Sequence, residues 1–167
     1  AYVRADLPQN NDLAGFMSRL NERLSHDTSG SRYVTFVGTL LDEQTGRVKV
    51  MSAGHCPAFL VRVAKGKIDQ IKAHGVPLGV MAGQSYPEVE SLELQPGDRL
   101  VIYTDGITEA KRADGEMFGG ARFMEAILRH AGLEGQPFID ALYKELSGFL
   151  CGAGIQYDLT ILSVRRL

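Results

Sequence analysis

Gly97-Asp98-Arg99-Leu100-Val101-Ile102-Tyr103-Thr104-Asp105-Gly106-Ile107-Thr108-Glu109 is the stretch on which the fold turns. Its middle, Arg99 to Thr104, is an almost uninterrupted apolar run of strand length, which reads as a buried strand. The run is entered through Gln95-Pro96-Gly97-Asp98, with Pro and Gly at the central positions of a type II turn. It stops at Asp105-Gly106. Gly106 lets the chain turn away, so the strand delivers an aspartate that faces a cavity. A rigidly held carboxylate of this kind suits a hard divalent cation such as Mg²⁺ or Mn²⁺, with waters in the other positions. It suits equally a cap on the turn or on a short following helix. The spacing alone leaves both readings open.

Working outward, Leu13, Phe16, Met17, Leu20 and Leu24 recur at helical spacing behind Asn11 or Asp12 as N-cap. They predict a helix over about residues 12–25. After the turn-rich Asp27-Thr28-Ser29-Gly30-Ser31, Tyr33–Leu41 and Arg47–Ala53 flank Asp42-Glu43-Gln44-Thr45-Gly46 as one β-hairpin. Ala58–Val63 and Lys67–Ile71 flank Lys65-Gly66 as a second. Leu92 and Leu94 end a further strand. Helices are expected over about residues 120–131 and 137–150, and a last strand over Leu159–Val164. The stripe Met117, Phe118, Phe123, Met124, Ile127 and Leu128 is explained by core packing. Strands arranged as hairpins, with helices gathered at one end and late in the chain, indicate an α+β fold with antiparallel sheets. No repeat or linker divides the 167 residues, so one domain over 1–167 is expected.

Composition narrows the function. Eighteen basic and 20 acidic side chains give a formal net charge of −2, and 44% of the chain is apolar. That balance argues against disorder and against dedicated nucleic-acid or anionic-membrane binding. No apolar run approaches ~18–20 residues, so no membrane segment is expected, and Ala1-Tyr2-Val3-Arg4-Ala5-Asp6 does not look like a signal peptide. Two cysteines, Cys56 and Cys151, fit a reducing, cytoplasmic setting.

Two further candidates carry chemistry. Asp158, in Gln156-Tyr157-Asp158-Leu159-Thr160, is a second carboxylate at the start of a strand, and it would share a metal site with Asp105 if the two strands are neighbours. A solvated turn aspartate is the alternative. His55-Cys56-Pro57-Ala58-Phe59-Leu60-Val61-Arg62 matches the His-Cys-x5-Arg spacing of cysteine-dependent phosphatases. Those loops need converging N–H groups and glycine for curvature. Here no glycine intervenes, Pro57 removes a donor, and Phe59-Leu60-Val61 runs into a strand, so the match reads as chance. Ala53-Gly54-His55 reads instead as a strand-to-turn corner, with His55 structural or at a site rim. His26, His74 and His130 show no zinc-ligand spacing.

Taken in order, Asn21-Glu22, Phe36-Val37-Gly38-Thr39-Leu40-Leu41-Asp42, Ser52-Ala53-Gly54-His55-Cys56-Pro57, Gly75-Val76-Pro77-Leu78-Gly79-Val80, the Pro96–Glu109 stretch, Phe118-Gly119 and Asp158-Leu159-Thr160 resemble the bacterial metal-dependent serine phosphatases of the PP2C-like (PPM) family, in its sporulation-stage-II-E and sigma-regulator branch. The resemblance implies a PP2C-like antiparallel β-sandwich flanked by helices, with two Mn²⁺ or Mg²⁺ ions at one end. It makes Asp105 a metal ligand and gives Asp158 the same role, with Gly106, His55 and Tyr157 at the site rim. The ions activate a water that attacks phosphorus, with no covalent protein intermediate. It implies a phosphoserine protein substrate of the anti-sigma-factor-antagonist type and an upstream sensory or receiver domain.

Two departures qualify the resemblance. The family's opening GDxYD-like and DxSGHG-like elements, which supply the metal-bridging aspartate, have no counterpart in the chain, which is therefore expected to lack the first strands. Exposed sheet edges then favour pairing of copies as a homodimer. Second, Tyr157 stands where the family has its usual acidic ligand, and a neutral phenol is a weak ligand. Neighbouring strand residues face opposite sides, so Asp158 substitutes only if the strand starts later or a bulge re-aims it. The alternative function is a catalytically degenerate PPM-fold regulatory or binding module.

Overall fold

The computed structural model describes residues 12–28, 32–72, 75–86, 92–155 and 157–167. Asn11, His74 and Ser29-Gly30-Ser31 lie outside them. Seven strands are formed among the described residues: β1 (Phe36–Leu41), β2 (Arg47–Ala53), β3 (Ala58–Arg62), β4 (Lys67–Ile71), β5 (Leu92–Glu93), β6 (Arg99–Tyr103) and β7 (Ile161–Arg165). Three α-helices accompany them among the described residues: α1 (Leu13–Thr28), α2 (Gly119–His130) and α3 (Gly135–Leu150). No helix among the described residues is long and apolar enough to cross a membrane. The chain divides into two compact units, residues 1–55 with 72–93 and residues 56–71 with 94–167. Each unit has its own antiparallel sheet and its own apolar core.

The first unit holds α1 and the sheet β1-β2-β5. Asp12 is the N-cap of α1, its Oδ1 accepting the Gly15 N–H at 2.8 Å. The helix runs three residues past its expected end and closes with the Thr28 hydroxyl on the Leu24 carbonyl at 2.7 Å. β1 and β2 pair from Phe36 opposite Ala53 to Leu41 opposite Val48. Asp42 organises their turn, its Oδ1 accepting the N–H groups of Gln44 and Thr45. Those donors hold its carboxyl below the usual range. β1 begins at Phe36 and not at Tyr33, because Val34 exchanges both backbone hydrogen bonds with Leu78, at 2.9 and 2.8 Å.

Asn21 lies on the apolar face of α1, one turn beyond Met17, and is fully buried. Its Oδ1 accepts the Gly79 N–H at 3.0 Å and the Tyr86 hydroxyl at 3.1 Å, and its Nδ2 donates to the Met81 carbonyl at 2.9 Å. A buried amide must find such partners, so this one side chain pins the 79–86 loop to the helix.

The second unit holds the sheet β4-β3-β6-β7, with α2 and α3 supplying much of its core. All five residues of β6 are buried, as expected of the central run. The turn before it closes through the Asp98 N–H on the Gln95 carbonyl at 2.8 Å. Asp98 itself is buried, and its Oδ2 accepts from Arg62 at 2.6 Å and from the Gln95 N–H at 3.0 Å. Of the expected core stripe, Phe118, Phe123 and Ile127 are buried. Met117 is exposed, because it precedes α2 and bridges to Lys111. α3 starts two residues before Pro137, which falls in the first turn where its missing N–H is harmless.

Candidate active site

β6 carries Asp105 out of the core of the second unit. Thr104 ties the strand end to the 158–160 segment: its N–H donates to the Thr160 carbonyl at 3.1 Å and its hydroxyl to the Asp158 carbonyl at 3.3 Å, while that hydroxyl accepts the Thr160 N–H at 3.0 Å. The following turn is closed by the Asp105 carbonyl, which accepts the Glu109 N–H at 2.8 Å and the Thr108 hydroxyl at 3.1 Å. The capping therefore runs through the Asp105 backbone. Its side chain is exposed, and its carboxylate accepts no hydrogen bond among the described residues.

Gly106 sets the distance between the two segments. It is buried, and a Cβ placed there would lie 2.6 Å from the Asp158 carbonyl oxygen and 3.1 Å from the Tyr157 Cβ. The absence of a side chain is what lets the Asp158 backbone rest on the Asp105-Gly106 turn. The structure thus brings Asp105, Gly106, Tyr157 and Asp158 together. β7 begins at Ile161 and not at Leu159. Strand alternation therefore does not assign Tyr157 and Asp158 to opposite faces, and both are exposed.

Cys56 lies half-buried beside Asp105. Burial, and then the Asp105 charge, pushes its thiol above the ordinary value. That leaves little thiolate near neutrality. Arg62, at the far end of β3, is engaged by Asp98 at 2.6 Å and Asp69 at 3.6 Å. Residues 58–62 are extended strand at ~3.3 Å per residue, so Cys56 and Arg62 do not form a phosphate loop. Burial also drives the Tyr103 phenol up to about 12, which makes it a neutral core group.

His55 belongs to the first unit. Its N–H donates to Ser52 Oγ at 3.3 Å, and its Nδ1 lies 3.5 Å from the Thr35 hydroxyl. The corner it follows depends on Gly54, at φ 64°, where a Cβ would meet the Pro77 ring at 2.6 Å. His130 Nε2 lies 3.0 Å from Glu145 Oε1, linking α2 to α3, and His26 pairs with Asp27 at 3.5 Å on the surface. Asn21, met in the sequence only within the family resemblance, and Asp98, met only as a turn residue, turn out to be buried hydrogen-bonding centres. A polar residue on the apolar stripe of α1 was the available signal for the first, and an aspartate just before a buried strand for the second.

A divalent-cation centre can be tested against these residues. An exposed carboxylate free of donors, at the end of a rigid strand and beside a second carboxylate-bearing segment, fits part of a hard-cation shell. No group of three or more acidic, histidine or cysteine side chains able to hold a metal gathers among the described residues.

The family model for stage II sporulation protein E (SpoIIE) matches residues 1–167. Protein IcfG of Synechocystis is 30% identical over 135 residues, covering 80% of this chain and 21% of its own length. The phosphoserine phosphatase RsbU of Bacillus subtilis is 23% identical over 150 residues, 90% of this chain and 44% of its own. The chain thus spans less than half the length of these relatives. Among solved structures, the RsbU and RsbW domains of Rv1364c from Mycobacterium tuberculosis superpose with a TM-score of 0.77 at 25% identity, over 99% of this chain and 45% of that one. The PP2C phosphatase domain of Bacillus subtilis SpoIIE, solved with a fragment of its regulatory domain, gives 0.79 at 24%, over 98% of this chain and 47% of that one. The antiparallel α+β architecture is that of PP2C-like phosphatases, and the chain belongs to the SpoIIE family.

Proposed function

We propose that the protein is a metal-dependent protein serine/threonine phosphatase that removes phosphate from phosphoserine on a regulatory protein of the anti-sigma-factor-antagonist type. The observation that carries the reading is the exposed Asp105 carboxylate at the end of β6, set against the Asp158 segment by Gly106. The family match and the likeness to RsbU, named a phosphoserine phosphatase, support it. Asp105 would hold Mn²⁺ or Mg²⁺, with Asp158 beside it and the remaining ligands from outside the described residues. A bound ion of this kind supplies an activated water and offsets phosphate charge. The chain's own part is to hold a carboxylate rigid: the buried strand fixes Asp105, and the Thr104–Thr160 hydrogen bonds fix the opposite segment. The residues 1–167 would act as one phosphatase domain, regulated through further parts of the whole protein.

The test is phosphate release from a phosphoserine protein by the full-length protein and its Asp105→Asn variant, in Mn²⁺ and in EDTA. Release by the parent in Mn²⁺, lost in EDTA and in the variant, is expected. Equal, metal-independent rates in both would refute the proposal. Tyr157 favours a second reading, a degenerate module that binds the regulatory partner without hydrolysing it. That reading expects Tyr157→Asp to bring a large gain in Mn²⁺-dependent hydrolysis, whereas the phosphatase reading expects no gain.

A further inference from the structure

At the far end of the second unit's sheet from the residues just described, a cavity of about 460 Å³ opens between β7 and the start of α3. Its walls include two guanidinium groups, Arg99 and Arg165, which are neighbours across the β6–β7 pairing. Arg99 is only 1% exposed. Its Nη1 donates to Ser163 Oγ at 2.8 Å, its Nη2 donates to the Leu133 carbonyl, and its carbon lies 3.7 Å over the Phe138 ring. Its Nε is buried and unpartnered among the described residues, and so is the Nε of Arg165. Burial, and then the Arg165 charge, push the Arg99 guanidinium below its ordinary value, against the opposing pull of Glu134.

The Glu134 carboxylate faces these two cations. Glu134 Oε1 accepts from Arg165 at 2.8 Å, and the glutamate side chain is 69% exposed. Glu134 is also the N-cap of α3, yet its side chain makes no capping hydrogen bond, and the first turn holds no acidic residue. The N–H groups of Gly135 and Gln136, which line the cavity, are therefore among the donors that a helix leaves unpaired at its start. Two clustered guanidinium charges, of which Arg165 is the more accessible, and an uncapped helix start favour the same ligand, an anion. The volume lies in the range of small-molecule sites, ~300–1,000 Å³, and exceeds a lone ion. Ile139 and Leu162 add an apolar wall.

We propose that this cavity is a binding site for a phosphate-bearing small molecule, with its oxyanion on Arg165 and the start of α3, over the buried Arg99, and its organic portion on the apolar wall. The guanidinium fork matches phosphate oxygens two at a time, which a lysine does not. The site contains neither Asp105 nor Asp158 and needs no divalent ion, so it stands independently of the phosphatase reading.

The test is calorimetric titration of the full-length protein in EDTA with inorganic phosphate and, separately, with phenyl phosphate, so that metal-dependent binding and turnover are silent. Saturable binding is expected, tighter for the ester than for inorganic phosphate because the apolar wall takes its ring; equal or weaker binding of the ester would overturn the placement of the organic portion. Arg165→Gln should weaken binding about tenfold or more, the scale of one charge-assisted contact. Glu134→Gln removes the competing carboxylate and should tighten it severalfold, a gain that misfolding does not imitate. If Arg165→Gln fails to fold, Glu134→Gln decides alone. Absence of saturable binding of both probes, or affinities indifferent to Glu134→Gln, would overturn the proposal.

Discussion

A methyl group on Gly106 would stand 2.6 Å from the carbonyl oxygen of Asp158. That contact joins the turn after β6 to the segment before β7, two stretches some fifty residues apart in the chain, and it makes the spacing of Asp105 from Asp158 a property of the backbone. The neighbouring atom is a carbonyl and not the far end of a flexible side chain, so it has little room to yield.

Gly106→Ala is therefore expected to destabilise the fold by about 1–3 kcal/mol, the usual cost of overpacking, and, under the proposed function, to abolish metal-dependent hydrolysis in the full-length protein. Gly132→Ala, which meets open space without a left-handed φ, should stay within about 0.5 kcal/mol of the parent. Urea unfolding of both variants checks the contrast, and equal stabilities would contradict the close approach.

Asn21→Ala removes the shared partner of Gly79, Met81 and Tyr86. Leaving buried donors and acceptors unpaired costs about 1–3 kcal/mol per group, so the variant should lose at least ~2 kcal/mol. Tyr86→Phe removes a single hydrogen bond and should lose only about 1 kcal/mol. The denaturation midpoint should shift without a change in slope.

The Arg62–Asp98 pair, at 2.6 Å and with Asp98 5% exposed, anchors the start of β6 to β3. Asp98→Asn should cost about 3 kcal/mol, because Arg62 is left without its main partner. In the double variant Arg62→Met, Asp98→Asn the loss should be smaller than the sum of the single losses. A thermodynamic cycle over the four proteins reads the coupling directly.

Glu145 receives hydrogen bonds from His130 at 3.0 Å and Arg129 at 2.6 Å, which hold its carboxyl below the usual range. A depressed carboxyl pKa contributes stability above the unfolded value and loses it as pH falls through the folded one. The melting temperature of the parent should exceed that of Glu145→Gln at neutral pH, and the gap should close as pH drops below the ordinary carboxylate range. The pair is solvated, so the difference should stay under about 1 kcal/mol.

Most elements were legible because their patterns are local: Asp12 caps α1, Gln95-Pro96-Gly97-Asp98 makes the tight turn, and the apolar run after it is the buried β6. The late start of β7 was not, because Leu159 and Thr160 carry good strand chemistry and only the Thr104 side chain draws this segment into a different bonding pattern. Asp105 stood out through its position at the end of an apolar run. The neighbour that sets its surroundings, the Asp158 carbonyl, is a backbone atom and leaves no mark in the sequence except the glycine opposite. Arg99 was equally hidden, as a charged residue inside a run that reads as apolar. Its burial becomes visible only when Phe138 of α3, Ser163 of β7 and Leu133 of the loop before α3 close around it.

The most direct test of the account is the affinity of the full-length protein for Mn²⁺, followed by electron paramagnetic resonance in the parent and in Asp105→Asn. With Asp105 as the ligand proposed above, Mn²⁺ should bind at least about tenfold more weakly in the variant. The same affinity in both proteins would contradict the claim that the carboxylate at the end of β6 holds the ion.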